Sequence, residues 1–210
     1  MHPGFVGQLG FVGQLGFFGT GAPSVDQGSP LDRTELGAGA WVDVRRGWLL
    51  GADTMCEELA GSVPWGHHRR LMYERFVDEP RLSRRYGPGD EMPHPALGMV
   101  AEQLGRLYDV AFVGPGLNYY RDGRDSVAFH ADRELKYLDN TIVAIVTLGA
   151  TRPFLVRRLG GGRSRDFRPA SGDLLVMGGA CQKFFEHAVP KMSSSGPRIS
   201  ASWRWACKRQ

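Results

Sequence analysis

Three residues of this 210-residue sequence could hold a metal ion: His130, Asp132 and His187. Successive side chains of a strand point to opposite sides, so His130 and Asp132 would project from one face about 7 Å apart. His187 follows the apolar segment 173–177 and the turn-like pair 178–179, so it would come from a second strand. Two imidazoles and one carboxylate with open positions are typical of non-haem Fe(II) centres that activate O₂. The pattern indicates an oxidation; on the triad alone, ordinary core or surface histidines are the alternative.

Two arginines near the end of the chain could bind an anion. Segment 198–204 is strand-like, and every second residue lies on one face, so Arg198 and Arg204 would point the same way. Guanidinium groups match carboxylates bidentately, and a buried pair without a counter-ion would be strongly disfavoured. A dicarboxylate such as 2-oxoglutarate would satisfy both arginines. An edge strand with two solvated arginines is the alternative.

Four segments, taken in order, resemble one known family. They are NYYRDGRDSVAFHAD at 118–132, GDLLVM at 172–177, HAVPK at 187–191 and RISASWR at 198–204. Together they resemble the AlkB family of Fe(II)- and 2-oxoglutarate-dependent dioxygenases, in particular the branch that repairs alkylated nucleic acid. The similarity extends from about residue 40 to residue 204.

The resemblance implies a role for each matching residue. The iron ligands would be His130, Asp132 and His187, and Glu134 would accept a hydrogen bond from the exocyclic nitrogen of the damaged base. Ser200 stands where many members have asparagine. The residues implied for 2-oxoglutarate are Asn118, Tyr120, Arg198, Ser200 and Arg204.

The implied reaction is an oxidative demethylation of 1-methyladenine or 3-methylcytosine in DNA or RNA. It would consume O₂ and 2-oxoglutarate and release succinate, CO₂ and formaldehyde. The methyl group is inaccessible inside a stacked duplex, so the base must be flipped or already single-stranded. Two alternatives stay open: the same chemistry on a protein or small molecule, and a catalytically silent nucleic-acid-binding module.

The lid over the substrate departs from the family. Residues 79–87 resemble its start, but 88–95 replace the tyrosine-rich hairpin of animal-type members. Tyr86 is the candidate for stacking on the base, and Arg84 and Arg85 are candidates for phosphate contacts. The protein is mildly basic, with 26 Lys and Arg against 22 Asp and Glu. A later cluster could also follow phosphates, with ordinary solvated arginines as the alternative: Arg157, Arg158, Arg163, Arg165 and Arg168.

The organisation along the chain predicts a disordered extension and one domain. Residues 1–37 contain a short repeat and a Gly/Ser/Pro-rich linker, and 38–210 would form the dioxygenase domain. That domain should be mainly β with flanking helices, in a jelly-roll, cupin-like core; the family's fold is such a double-stranded β-helix. Helices are predicted at 53–59 and 95–108, and strands at 40–44, 118–120, 141–148, 153–157, 173–177 and 198–203.

Cysteine content and hydropathy indicate the cellular compartment to expect. Cys56, Cys181 and Cys207 have neither CxxC spacing nor an even count, so a reduced, cytoplasmic protein is expected. No apolar stretch reaches about 18 residues, so no membrane span is expected. We also expect a monomer.

Overall fold

The computed structural model describes residues 22–72 and 75–207, and side chains are described outside 68–78. This part of the chain is mostly strand. The strands are β1 (Ser24–Val25), β2 (Leu31–Gly37), β3 (Ala40–Arg45), β4 (Leu49–Leu50), β5 (Gly66–Met72), β6 (Arg75–Arg85), β7 (Gly116–Tyr120), β8 (Val127–His130), β9 (Thr141–Gly149), β10 (Leu155–Arg158), β11 (Arg165–Asp166), β12 (Leu174–Gly179), β13 (Phe185–Val189) and β14 (Arg198–Ala206). The helices are α1 (Ala52–Ser62), α2 (Ala96–Tyr108) and α3 (Cys181–Phe184).

Two antiparallel sheets enclose the site. The larger has eight strands in the order β2-β3-β12-β9-β14-β7-β6-β5, and the smaller has four in the order β11-β10-β13-β8. Because most neighbours in these sheets are not consecutive in the chain, the connections cross between sheets, as in a jelly roll. The predicted β fold with flanking helices is confirmed.

The central strands β9, β12 and β14 are covered on both faces. In β9, Val143 and Ile145 pack towards the smaller sheet, whereas Ala144 and Val146 pack towards the helices. A strand buried on both faces needs apolar residues at every position, which explains the continuous run at 141–148. The strand predictions for β9, β12 and β14 are confirmed.

Two helices cover the outer face of the larger sheet. In α2, Leu97, Val100 and Leu104 recur at helical spacing and are fully buried. Helix α1 packs against β9 and β14. Both predicted helices are confirmed, with α1 extending to Ser62. No helix in the described part of the chain is both long enough and apolar enough to cross a membrane.

The predicted boundary between extension and domain is wrong for residues 22–37. Strand β1 pairs with β4, and β2 pairs with β3 from Leu31 opposite Arg45 to Gly37 opposite Ala40. Arg33 fixes β2 through two bonds to the buried Asp43, at 2.7 and 2.8 Å. Backbone pairing and this ion pair hold a polar segment that lacks a hydrophobic run. The repeat at 1–21 lies outside the described residues.

Two further sequence interpretations need correction. The pair 178–179 is not a turn, because β12 continues through it and pairs with β3. Gly178 is required there, since a Cβ would lie 2.0 Å from the Trp41 ring. The predicted lid region also begins differently, because β5 and β6 form a long hairpin that the sequence analysis did not identify.

Candidate metal centre and anion pocket

The three predicted metal ligands meet between β8, β13 and the turn after β8. His130 ends β8 and lies directly opposite His187 on β13. One ligand atom from each of His130, Asp132 and His187 lies within 4.8 Å of the others. His130 Nε2 is 3.9 Å from Asp132 Oδ1. The set therefore fits a single cation bound by two nitrogens and one oxygen.

Asp132 reaches this position from a turn and not from a continued strand. Its carbonyl oxygen accepts a hydrogen bond from the Leu135 amide at 2.9 Å, which closes the turn. Its own amide donates to Oε1 of the buried Gln182 at 2.8 Å. The expectation that His130 and Asp132 project from one face of a strand is wrong, because β8 ends at His130.

Burial keeps both imidazoles in the form that binds a metal. Burial, with a smaller effect of the neighbouring His130, lowers the pKa of His187 to about 3. Burial also lowers the pKa of His130 below its ordinary value. The His130 Nδ1 atom lies 2.9 Å from the Ala128 carbonyl oxygen, which leaves Nε2 facing Asp132. Neutral imidazoles with a free ring nitrogen are what coordination requires.

Arg204 is ion-paired with the metal-site carboxylate. Its Nε donates to Asp132 Oδ2 at 2.7 Å and its Nη1 donates to Ser202 Oγ at 3.0 Å. Burial raises the pKa of Asp132, but the charge of Arg204 and its hydrogen bond outweigh this effect, so the pKa lies below the ordinary value. The carboxylate is thus kept ionised and oriented.

Arg198 is a fully buried cation that lacks a described carboxylate partner. It is 0% exposed, and its contacts are Thr147 Oγ1 at 3.2 Å, Ser200 Oγ at 3.3 Å and the Pro169 carbonyl oxygen at 3.5 Å. Burial lowers the pKa of Arg198 to about 10. Among the described residues, no Asp or Glu forms an ion pair with it. A buried guanidinium of this kind fits an anionic ligand, since an unpaired buried charge is costly.

The other residues predicted to bind 2-oxoglutarate lie on the same face. Arg198 is opposite Tyr120, and Ser200 is opposite Asn118, on the paired strands β14 and β7. Tyr120 belongs to the core between the sheets, whereas the alternate residue Ile199 belongs to the core under the helices. The side chains of Asn118, Tyr120, Arg198 and Ser200 therefore lie on the inner face of the large sheet.

Comparisons with known proteins agree with this geometry. Residues 116–204 match the 2OG-Fe(II) oxygenase superfamily. Alpha-ketoglutarate-dependent dioxygenase alkB homolog 3 of Bos taurus is 31% identical over 180 residues, which are 74% of this chain and 62% of that protein. This chain is similar to AlkB-family dioxygenases of the 2OG-Fe(II) oxygenase superfamily.

A second sequence relative and a solved structure are also similar to this chain. DNA oxidative demethylase ALKBH2 of Arabidopsis thaliana is 31% identical over 112 residues, 42% of this chain and 36% of that protein. The structure of OsALKBH1 shares the fold, with a TM-score of 0.53 at 17% identity over 83% of this chain and 99% of that chain. The chain spans about 62% of the length of the Bos taurus relative.

The AlkB family works with Fe(II), 2-oxoglutarate and O₂, and the residues present fit these groups. His130, Asp132 and His187 supply the nitrogen and oxygen ligands that suit Fe(II). The buried guanidinium of Arg198 suits a carboxylate of 2-oxoglutarate.

The residues predicted to contact the substrate are only partly brought together. Glu134 is exposed, with 70% of its side chain accessible, and lies 3.6 Å from Arg85 of β6. Arg84 is exposed on the opposite face of β6, over the ring of Tyr86 at 5.5 Å. Arg84 and Arg85 therefore point to opposite faces of β6, and their phosphate contacts stay a prediction.

Tyr86 is wrong as the residue that stacks on the base. It is only 6% exposed and packs in the core under the helices. Its amide donates to the Pro115 carbonyl oxygen at 3.0 Å, which ties the end of β6 to the segment before β7. A side chain enclosed in this core cannot reach a base at the metal centre.

Three functional residues were not assigned these roles from sequence. Gln182 holds the Asp132 amide, and Arg81 donates from Nε to Asn118 Oδ1 at 3.0 Å. Arg152 is 0% exposed and donates to the carbonyl oxygens of Asp122, Asp125 and Pro190 at 2.7–2.9 Å. A lone arginine directly after the apolar strand β9 was the one available signal for such a buried cation.

Proposed function

We propose that this protein oxidatively demethylates alkylated bases in nucleic acid. The observation that carries the proposal is the buried guanidinium of Arg198, which forms no ion pair with a described carboxylate. It lies on β14, the strand whose Arg204 holds Asp132 of the cluster His130, Asp132 and His187. A metal site alone is compatible with many reactions. A metal site with an enclosed anion-binding arginine supports a 2-oxoglutarate-dependent oxidation.

Bound Fe(II) and 2-oxoglutarate supply an oxidation in which O₂ gives one atom to succinate, with CO₂ released, and one atom to a methyl C–H bond. The hydroxymethyl base then loses formaldehyde. His130 and His187 contribute neutral nitrogen ligands, and Asp132 contributes a negative charge that Arg204 orients. Arg198 neutralises a carboxylate of the co-substrate. Phe154 stacks on the His187 ring at 5.5 Å between centroids and fixes its orientation.

Methylated nucleobases are the proposed substrates, in particular 1-methyladenine and 3-methylcytosine. The name of the Arabidopsis thaliana relative, DNA oxidative demethylase, supports this class. Glu134 lies one turn beyond the metal site and is exposed, so it is free to approach a base that has left its stack. These lesions are cationic, and a carboxylate neighbour favours a cation.

The test counts formaldehyde and succinate from matched substrates. Single- and double-stranded DNA and RNA oligonucleotides with one 1-methyladenine or 3-methylcytosine are compared with unmethylated oligonucleotides and with methylated peptides. We expect one formaldehyde per succinate with a methylated oligonucleotide. Formaldehyde from the peptides alone would contradict the proposal, and so would full turnover after removal of metal by chelation.

Two further expectations stay proposals. We propose a monomer, which size-exclusion chromatography with light scattering tests, and a cytoplasmic setting, which cell fractionation tests. Neither enters the argument for the reaction.

A further inference from the structure

A cavity of about 300 Å³ opens beside the β10–β11 hairpin. Its lining does not include the metal-site residues, but Val156 of the lining lies opposite His187 on the neighbouring strand. The loop between β10 and β11 forms one side of the cavity. The lining residues are Leu36, Val156, Arg157, Arg158, Gly161, Gly162, Arg163, Arg165 and Phe185.

This lining is rich in positive charge and contains no acidic side chain. Arg157 is neutralised, because its Nε lies 2.7 Å from Glu186 Oε1. Arg158, Arg163 and Arg165 form no ion pair with an Asp or Glu of the described residues. Three guanidinium groups at one cavity create a local positive potential that attracts anions.

The loop backbone is also suited to a close ligand. Gly161 and Gly162 have φ values of 115° and 93°, and a Cβ at either would meet nothing within 4 Å. Packing therefore does not require glycine here. The left-handed conformation does, and the missing side chains leave the backbone open to an approaching group.

The cavity lies close to the metal centre along the strands. Val156 is opposite His187, and Arg158 is opposite Phe185. Arg158 is therefore two residues along β10 from the row that holds His187, about 7 Å away at the rise of a strand. A strand whose base enters the metal centre would carry its neighbouring phosphates past this hairpin.

We propose that this cavity binds a backbone phosphodiester of the nucleic-acid substrate next to the reacting base. Arginine suits this ligand because its planar fork pairs with phosphate oxygens in two bonds. The inference rests on the proposed function and adds the surface that orients the strand. Phosphate contacts carry no base information, so the cavity sets affinity and register and leaves the choice of lesion unchanged.

The experiment compares two variants that lose the same charge. One is the double variant Arg163→Ala with Arg165→Ala. The control is Arg106→Ala with Arg124→Ala, two exposed arginines ion-paired to Glu102 and Asp122 away from the cavity. The dissociation constant of a methylated single-stranded oligonucleotide is measured by fluorescence anisotropy from about 50 to about 200 mM NaCl, with thermal unfolding as the folding check.

We expect the cavity variant to bind the oligonucleotide about tenfold more weakly at the lowest salt. Its plot of log affinity against log salt should be shallower by about 1.4, since each lost phosphate contact removes about 0.7 from the slope for a single strand. The control variant should match the parent, and the KM for 2-oxoglutarate should be unchanged in both.

Three outcomes would overturn the inference. Parental affinity and slope in the cavity variant would do so while leaving the proposed function intact, provided the parent still releases formaldehyde. If the cavity variant bound the oligonucleotide like the parent but bound inorganic phosphate more weakly in a calorimetric titration, the cavity would be a free-phosphate site instead. A parent that neither binds nor demethylates any oligonucleotide would remove the inference together with the proposed function.

Discussion

Arg204 and Asp132 form an ion pair at the edge of the metal centre, with Arg204 Nε 2.7 Å from Asp132 Oδ2. The other carboxylate oxygen, Oδ1, lies 3.9 Å from His130 Nε2. One carboxylate therefore has two duties: one oxygen is held by the arginine and the other is directed at the metal position. Arg204 was predicted to bind 2-oxoglutarate, and in this structure its Nε holds the iron ligand.

The first prediction is that Arg204→Ala weakens metal binding. Removal of a group that orients a metal ligand typically costs about 10- to 100-fold in metal affinity. The measurement is the Fe(II) or Mn(II) dissociation constant of the variant under anaerobic conditions. His187→Ala is the positive control, because it removes a ligand itself. An unchanged metal affinity in Arg204→Ala would mean that the ion pair does not orient Asp132.

The second prediction separates ligand binding from stability at Arg198. Arg198→Met should weaken 2-oxoglutarate binding about 30-fold to several thousand-fold, because loss of a buried partner of a charged ligand costs about 2 to 5 kcal/mol. Without ligand, its Tm should not fall, since the variant removes a buried charge that no described carboxylate neutralises. Calorimetric titration and thermal unfolding measure the two effects. Unchanged 2-oxoglutarate affinity would refute the anion site.

The third prediction is that Arg152 serves the fold. Its three hydrogen bonds to carbonyl oxygens tie the loop after β7 to the segment after β13. Arg152→Met should cost at least about 3 kcal/mol, or about 6 to 12 °C in Tm. The control is Arg124→Met, because Arg124 is exposed on the loop after β7 that Arg152 holds. It should change Tm by less than about 2 °C. Equal Tm values for the two variants would contradict this role.

The fourth prediction concerns Glu134 and the choice of lesion. Glu134→Ala should lower kcat/KM for 1-methyladenine and 3-methylcytosine by about tenfold to more than a hundredfold, since one charge-assisted hydrogen bond is lost. Binding of metal and 2-oxoglutarate should stay at the parental level. Arg85→Ala frees Glu134 from its ion-pair partner and is the companion variant. Parental repair of both lesions by Glu134→Ala would exclude Glu134 from the base site.

The fifth prediction is a loss of stability at alkaline pH. Burial raises the pKa of Cys56 to about 11 and that of Cys181 to about 12, from an ordinary value of 9.0. Below pH 9 both thiols are neutral in the folded and the unfolded chain, so their contribution to the free energy of unfolding is complete. From pH 9 the unfolded chain loses thiol protons that the folded chain keeps, so stability declines up to pH about 11 for Cys56 and about 12 for Cys181. Each thiol removes up to about 1.4 kcal/mol per pH unit in this window. The variant with both residues changed to Ala should show a shallower decline of Tm above pH 9; parallel curves would disprove the assignment.

The sequence predicted the interior of the large sheet well because strand periodicity is a strong constraint. Arg198 and Ser200 lie on the inner face of β14, whereas Ile199 and Ala201 pack under the helices. That alternation follows directly from the geometry of a strand. The same reasoning failed at Asp132, where a turn replaced the strand and the two-residue period no longer applied.

Other features depend on tertiary contacts that no local pattern records. Tyr86 belongs to a segment whose sequence resembles the lid, but its contacts in the fold place it in the core. The cation of Arg152 is buried only because three carbonyl oxygens from distant segments converge on it. Strand β2 has large apolar residues only at Leu31 and Leu36 and becomes a strand through its pairing with β3.

Strand β2 also covers one edge of the large sheet. Its sequence, LDRTELG, places charged residues along the outer edge of the large sheet, and such an edge discourages pairing with another chain. The next strand inward, β3, has Ala40, Val42 and Val44 buried. Without β2 it would present unpaired amides and carbonyls beside an apolar surface, which is a template for aggregation. The charged strand before residue 38 thus disfavours edge-to-edge pairing of the large sheet with another chain.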